Sequence, residues 1–243
     1  TTNLDVVDID GAVDMASTLN VSGITDFGSY QGSSVNSPVN IKSDSNHFAI
    51  SLEENSGTET WQIGIDADGD LNFHNSGTAL PSFVIGDSNG SISTPTAGTS
   101  NFRAGVNAGD SITSGGNQNT VIGDEAGTAI TTGIENVLVG YVAGDALTDA
   151  DFNVAVGRAA LSTDTLGSKS TAIGQGALNS QNFTTATDSH NTAVGFFAGL
   201  SVTTGVQNTL IGGLAGDALT DADFNVAVGY GSLSANTLGS KSV

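Results

Sequence analysis

The pentapeptide Asn119-Thr-Val-Ile-Gly123 recurs through the second half of the chain at a nearly fixed interval. Each copy has Asn or Ser, then Thr or Val, an apolar residue, Val or Ile, and glycine. The glycines that end the copies are Gly123, Gly140, Gly157, Gly174, Gly195, Gly212 and Gly229. Successive glycines are 17, 17, 17, 21, 17 and 17 residues apart. A period this short predicts a stack of identical supersecondary units rather than a globular core.

The repeat region spans residues 98–243, with turns starting near residues 101, 119, 136, 153, 170, 191, 208 and 225. A 17-residue turn has room for two strands of about five residues and two corners, so successive turns are expected to stack in parallel about 4.8 Å apart. A longer period is superimposed, because Gly144–Gly157 recurs unchanged as Gly216–Gly229, 72 residues on. The extra residues lie around Asn182–His190 and predict one enlarged corner in every four.

The repeated strand is apolar at three consecutive positions in several turns, for example Val137-Leu138-Val139. Because side chains alternate between the two faces of a strand, both faces are apolar. One face can fill the interior of the coil, but the other would form an exposed apolar stripe along the stack. The sequence therefore predicts self-association around an axis parallel to the stack. A head-to-head dimer would cover the stripe as well.

Two different segments precede the repeat. Residues 1–37 alternate apolar and polar side chains between Gly-containing turns, which predicts short strands that pair with neighbours. Residues 38–97 carry longer alternating runs separated by turn signals such as Asp66-Ala-Asp-Gly69. This pattern predicts a small antiparallel β domain of four or five strands packed on Trp61, the one tryptophan in the chain. The predicted fold class is thus all-β throughout.

Charge and composition exclude several classes of protein. The chain has 25 acidic and five basic residues, a net charge of −20, so it lacks the basic footprint of a nucleic-acid-binding protein. An anionic membrane surface would repel it, and no apolar run approaches the ~18 residues of a membrane-spanning helix. We therefore expect neither a nucleic-acid partner nor membrane insertion. The absence of cysteine means that no disulfide supports the fold.

Units such as Asn191-Thr-Ala-Val-Gly195 and Asn153-Val-Ala-Val-Gly157 resemble the left-handed parallel β-roll repeats in the heads of trimeric autotransporter adhesins. The 17-residue form, with Thr-Thr-Gly and Asp-Ala-Leu-Thr-Asp segments, is more similar to the shafts of bacteriophage tail fibres. The upstream segments Asp8–Gly23 and Leu52–Phe73 also resemble phage fibres. The resemblance implies a homotrimer. The self-cleaving chaperone that ends many such fibres has no counterpart in this sequence.

Acidic residues in turns are candidate cation ligands. Asp66, Asp68 and Asp70 resemble part of a calcium loop, but an EF-hand needs Gly at its sixth position and Glu at its twelfth. Here Gly69 is fourth and the twelfth residue is Gly77, so a tight hairpin turn explains the sequence better. The repeat corners also carry acidic residues in two equivalent turns: Asp145, Asp149, Asp151, Asp217, Asp221 and Asp223. Other turns lack them, so we expect solvated corners and no cofactor, with a divalent cation as the alternative.

Catalytic motifs are missing from the sequence. The adjacent carboxylates Glu53-Glu54 and Asp124-Glu125 lie in or beside turns, where acidic residues are ordinary. The three histidines, His47, His74 and His190, fall in unrelated units. We therefore expect a protein that is not an enzyme.

Aromatic residues of the repeat are candidates for contact with a partner. Phe196 and Phe197 are adjacent, so one of them must point outward or into a seam between copies, where it could touch a receptor. Phe152 and Phe224 end equivalent corners and are expected to pack there.

The function that these patterns favour is structural. We expect a homotrimeric shaft of a phage tail fibre, extracellular and part of the virion, which joins other fibre proteins and holds a tip that binds a host receptor. The head of a bacterial trimeric surface adhesin is the alternative reading, and a polysaccharide depolymerase is the third.

Overall fold

The computed structural model describes residues 48–53, 60–65, 71–75, 83–85, 92–93 and 96–243. The short strands predicted within residues 1–37 lie outside these ranges. Across the described residues all regular secondary structure is β-strand, which confirms the predicted all-β fold.

The first sheet is an antiparallel meander. Its strands are β1 (Phe48–Glu53), β2 (Thr60–Ile65), β3 (Leu71–Asn75), β4 (Phe83–Ile85) and β5 (Ile92–Ser93). Each strand pairs with the next along the chain. Ile63 lies opposite Phe73, and Phe73 lies opposite Phe83 with their rings edge to face and 5.7 Å apart. Apolar and aromatic pairs of this kind stabilise a small sheet, and the predicted antiparallel sheet is confirmed.

The repeat forms a parallel β-solenoid. One strand from each turn enters an eight-stranded sheet: β6 (Phe102–Ala104), β7 (Thr120–Ile122), β8 (Val137–Val139), β9 (Val154–Val156), β11 (Thr171–Ile173), β13 (Thr192–Val194), β14 (Thr209–Ile211) and β15 (Val226–Val228). Equivalent residues pair directly, so that Val137 lies opposite Val154, 17 residues on. The enlarged turn adds a small parallel sheet of β10 (Gly167–Ser168) and β12 (Thr187–Asp188).

The expectation of two five-residue strands per turn is wrong. Outside the enlarged turn each turn has a single three-residue strand. Left-handed backbone conformations at several positions bend the rest of the turn, and many of these positions hold ordinary side chains, such as Val142 (φ 49°), Phe152 (φ 60°) and Leu161 (φ 53°). A residue in this region reverses the chain direction, so an extended strand cannot continue through it.

The repeated glycine follows each strand and has a positive φ, which other residues rarely adopt. Gly123, Gly140 and their equivalents have φ between 120° and 142°. A Cβ atom on any of them except Gly229 would lie 2.3–2.6 Å from the carbonyl oxygen of the glycine in the next turn. Both the dihedral angle and the close approach of the backbones therefore require glycine at this position.

A buried ladder of polar residues stands next to the strand. From Asn119 onward, the backbone N–H of each ladder residue except Asn191 donates to the side-chain oxygen of the preceding ladder Asn, at 2.8–3.0 Å. The Asn191 N–H donates to Ser189 Oγ at 3.5 Å, because the ladder residue before it is Ser170. The ladder amides also donate to backbone carbonyls of their own turn at 2.7–2.9 Å, as Asn136 does to Ala150. These contacts satisfy backbone groups inside the coil, where water cannot reach them.

The middle residue of each strand points inward and shares the core with a second residue of the same turn. Where one of the two residues is large, the other is small. Leu138 is completely buried, and a Cβ on Gly144 in the same turn would lie 2.8 Å from its Cδ2 atom. The next turn has the small Ala155 at the strand position and the fully buried Leu161 at the position of that glycine. Because the interior is close-packed, a large residue at one position requires a small one at the other.

The enlarged turn contains a buried polar network where Ser170 interrupts the Asn ladder. The Gln181 amide donates to Ser170 Oγ (2.8 Å) and Asp164 Oδ2 (2.6 Å), and its oxygen accepts from the Asn191 amide (2.8 Å). Asp164 Oδ1 accepts from the backbone N–H groups of Gly167 (3.1 Å) and Phe183 (2.9 Å). These contacts replace the missing Asn side chain and fix the position of the longer turn.

Candidate functional site: the strand face of the solenoid

The exposed apolar residues of the solenoid lie on one side of the coil. Among residues 96–243, every exposed large hydrophobic residue except Leu238 and Val243 falls on or beside the eight-stranded sheet. They are Val106, Val137, Tyr141, Phe152, Ile173, Phe196, Ile211, Phe224, Val226, Val228 and Tyr230. We call this side the strand face. The predicted apolar stripe therefore exists on the single chain.

The strand face has two edges of different composition. The leading edge is the residue before each ladder position from Asn119 onward: Gln118, Glu135, Phe152, Lys169, His190, Gln207, Phe224 and Lys241. The trailing edge is the residue after each repeated glycine: Val106, Asp124, Tyr141, Arg158, Gln175, Phe196, Gly213 and Tyr230. Between the edges lie the outward residues of each strand. In every strand of the eight-stranded sheet after β6, the first residue is Thr or Val and the third is Ile or Val.

Charge is distributed unequally around the coil. Within residues 102–243 the strand face carries Arg158, Lys169 and Lys241 against Asp124, Glu135 and Asp188, whose carboxylate lies 2.5 Å from Lys169 Nζ, a balance of 3 − 3 = 0. The interior and the other sides carry Arg103 against nine acidic residues, a balance of 1 − 9 = −8. Those nine are Asp110, Glu125, Asp145, Asp149, Asp151, Asp164, Asp217, Asp221 and Asp223. Two copies can therefore approach through the strand face without the repulsion that their other sides would cause.

Phe196 and Phe197 take different positions, as their adjacency required. Phe196 is 50% exposed on the trailing edge. Phe197 (φ 54°) packs its ring over Gly176 of the preceding turn, where a Cβ would lie 2.4 Å from a ring carbon. The two rings touch, with centroids 4.0 Å apart. Phe196 is thus the residue of the pair that a partner could contact.

The other exposed aromatic residues extend this trailing edge. The ring of Tyr230 leans towards Gly213, whose missing Cβ would lie 3.4 Å from it. Arg158 lies over the ring of Tyr141, with 6.0 Å between its guanidinium carbon and the ring centroid. Phe152 and Phe224 on the opposite edge are 43% and 48% exposed, so the expectation that they pack within the corner is wrong.

The acidic candidates serve mainly as acceptors inside the fold. Asp66, Asp68 and Asp70 lie outside the described residues. Asp151 and Asp223 each accept a backbone N–H from the preceding turn at 2.8 Å. Within the part of the chain that the structure describes, no group of three His, Cys, Asp or Glu side chains could hold a metal ion.

The surroundings of Asp145 perturb the titration of its carboxyl. Burial raises its pKa, and the negative charge of Glu125 adds to the effect, while hydrogen bonds from backbone N–H groups at Asp145 and Ala146 oppose it. One carboxylate oxygen of Asp145, and the equivalent oxygen of Asp217, is buried without a hydrogen-bond partner. The ionised form of Asp145 therefore costs folding free energy.

The described residues weighed for catalysis lie on different elements. Asp124 lies on the trailing edge and accepts the backbone N–H of Val106 at 3.2 Å. His74 is in β3 of the meander and His190 is on the leading edge of the solenoid. Glu54 and His47 lie outside the described residues.

Comparison with known protein families, with characterised proteins and with solved structures finds no match to this chain. Among the described residues there is no long apolar helix of the kind that crosses a bilayer.

Proposed function

We propose that this chain is part of the shaft of an elongated extracellular fibre, in which copies associate through the strand face. The single observation that supports this proposal best is the concentration of exposed apolar residues on the strand face, which lacks the excess of acidic residues found on the other sides of the solenoid. A monomeric protein has no evident use for such a face, whereas a fibre built of several copies buries it.

The size of the strand face agrees with this proposal. Eight strands about 4.8 Å apart, and roughly 20 Å from edge to edge, give a face of about 700 Å². Specific protein–protein interfaces bury about 800 Å² on each partner. The Ile, Val and aromatic side chains of the face supply the apolar core that such an interface needs.

The fibre that the sequence favours is a homotrimeric phage tail fibre located on the virion. The proposal combines the strand face with the resemblance of Asp8–Gly23 and Leu52–Phe73 to phage fibres. In this role the chain is structural rather than enzymatic, needs no cofactor, and joins other fibre proteins to hold a distal tip that contacts the host receptor. The head of a bacterial trimeric adhesin uses the same kind of roll and is the alternative.

Light scattering of purified variants tests the association. Ile173→Asp with Ile211→Asp places two charges on the strand face, where the native side chains are 39% and 40% exposed. Thr163→Asp with Thr204→Asp places the same two charges at exposed positions on other sides and serves as the matched control. We expect the first pair to reduce the particle to a folded monomer and the second to leave the native mass unchanged. Equal masses for both pairs would contradict the proposal.

Antibody labelling tests the location of the protein. Gold-labelled antibody against the purified chain should decorate the side of a fibre on phage particles in electron micrographs. Labelling of a surface layer on bacterial cells would favour the adhesin instead. Clear halos around drops of the purified protein on a host lawn would favour the depolymerase.

A further inference from the structure

The two edges of the strand face differ in every turn, which makes them suited to meet each other rather than themselves. In the turn that starts at residue 153 the leading edge has Phe152 and the trailing edge has Arg158. In the equivalent turn, 72 residues on, these positions hold Phe224 and Tyr230. All four side chains are exposed on the single chain.

The symmetry of a shaft decides which edges come together. This step rests on the proposed function, because a fibre with a tip at one end requires all copies to run in the same direction. Rotation about an axis parallel to the stack then brings the leading edge of one copy to the trailing edge of the next, at the same height. The contact is the same for two or three copies.

Same-height pairing gives chemically compatible neighbours at each turn. Phe152 meets Arg158, which allows a cation–π contact, and Phe224 meets Tyr230, which allows an aromatic pair. Going through the other turns, the pairs are Gln118 with Asp124, Glu135 with Tyr141, Lys169 with Gln175, His190 with Phe196, and Gln207 with Gly213. In none of these pairs does a charged residue meet a like charge.

A shift of one turn is less favourable. If each leading edge met the trailing edge of the preceding turn, Glu135 would face Asp124, and Lys169, which is paired with Asp188, would face Arg158. Like charges placed opposite each other at an interface disfavour that arrangement. If each leading edge met the following turn, Glu135 would face Arg158 and Lys169 would face Phe196, but Phe152 and Phe224 would both lose the partners described above. This shift also moves each copy along the axis relative to the last, so the assembly does not close, whereas rotation at equal height does.

We propose that copies of this chain pair edge to edge at equal height, with Phe152 of one copy against Arg158 of the next and Phe224 against Tyr230. The partner of the strand face is thus a parallel copy in register. The edge residues favour this register over a shift to the preceding turn, while the Ile and Val residues between them supply the apolar contact.

Disulfide trapping tests this register directly, because the chain has no native cysteine. Gln118→Cys and Asp124→Cys occupy exposed leading-edge and trailing-edge positions of one turn. Within one chain they lie on opposite edges, roughly 15 Å or more apart along the strand, which is too far for a disulfide. The double variant should therefore form disulfides between copies, and most of the protein should run as covalent oligomers without reductant.

Control variants distinguish the other arrangements. Asp124→Cys with Glu135→Cys reports the shift to the preceding turn, and Gln118→Cys with Tyr141→Cys reports the shift to the following turn. Each single-cysteine variant reports antiparallel pairing of an edge with itself. Crosslinking should be at least fivefold lower in each of these cysteine controls than in the same-turn pair. The double variant Gln118→Ser with Asp124→Ser should keep the native mass, which would show that the substitutions themselves are tolerated.

The outcomes separate this inference from the proposed function. A native chain that light scattering shows to be a monomer contradicts both. An oligomer of normal mass in which a shifted pair or a single cysteine crosslinks best overturns the register and leaves the shaft intact. An oligomer in which the same-turn pair does not crosslink overturns the edge contact.

Discussion

Replacing one repeated glycine by alanine should destabilise the solenoid by an amount that depends on the turn above it. In Gly174→Ala the new Cβ would lie 2.3 Å from the carbonyl oxygen of Gly195, and the residue has φ 131°. Holding alanine at such a dihedral angle costs about 1–3 kcal/mol. Relieving the overlap by a backbone shift costs about 1–3 kcal/mol more. The expected loss of unfolding free energy is therefore about 2–6 kcal/mol.

Two glycines of the same chain provide controls. Gly229→Ala has the same kind of strain, with φ 120°, but a Cβ there would have no neighbour within 4 Å, so the loss should be about 1–3 kcal/mol. Gly213→Ala lies outside the left-handed region, and its Cβ would be no closer than 3.4 Å to another atom, so little change is expected. Urea denaturation followed by far-UV circular dichroism measures all three. A loss in Gly174→Ala no larger than that in Gly229→Ala would refute the argument from close approach of the backbones.

Three further sets of substitutions test the ladder, the core and the carboxyl of Asp145. Asn136→Ala removes the partners of the Asn153 N–H and the Ala150 carbonyl, so unfolding free energy should fall by about 2–5 kcal/mol. Asn182→Ala, which removes only a long hydrogen bond from Thr165 Oγ1 (3.4 Å) at a half-buried position, should change it by less than about 1 kcal/mol. Ala155→Leu and Leu161→Gly should each lower the free energy of unfolding by about 1–4 kcal/mol. In urea titrations the double variant should lose at least about 1 kcal/mol less than the sum of the two single losses, and strict additivity would contradict the pairing of a large with a small residue. Because burial raises the pKa of Asp145 above its unfolded value, its ionisation removes stability as pH rises through that interval. Asp145→Asn should therefore give a small gain at pH 7, about 0.5 kcal/mol or less after solvent screening, that disappears at pH 3, and a loss at pH 7 in thermal melts would contradict the sign.

Much of the solenoid could be predicted because its repeat is explicit in the sequence. The spacing of Gly123, Gly140 and Gly157 fixes the length of each turn, and the apolar strand residues identify the sheet. The Asn ladder was also predictable, since an Asn at a constant position can bond to its equivalents in the neighbouring turns.

The shape of the rest of each turn could not be predicted from residue type. Left-handed conformations at Val142, Leu161 and Phe152 are unfavourable for these side chains, and the packing of neighbouring turns imposes them. Sequence reasoning alone favours strands there and misses the corners. One turn pairs the large Leu138 with the small Gly144, and the next pairs the small Ala155 with the large Leu161. This alternation can be seen in the sequence only once the two positions are known to share the interior.

The candidate interaction face was predicted in part. The two-faced strand indicated an exposed apolar stripe, but the edges were missed because Phe152 and Phe224 fitted a packing role at equivalent corners. Their exposure follows from the left-handed backbone before each ladder residue, which turns the side chain outward. A periodic comparison of the residues flanking Asn153 and Gly157 with those of other turns could have revealed the separation of charge.

The central claim is that the strand face is covered by other copies of the chain, and sedimentation equilibrium tests it most directly. The purified native chain should sediment as a multiple of its 24.2 kDa mass, three times that value for the trimer, and the mass should persist on dilution to low micromolar concentration. A folded protein that sediments at 24.2 kDa throughout this range would contradict the account.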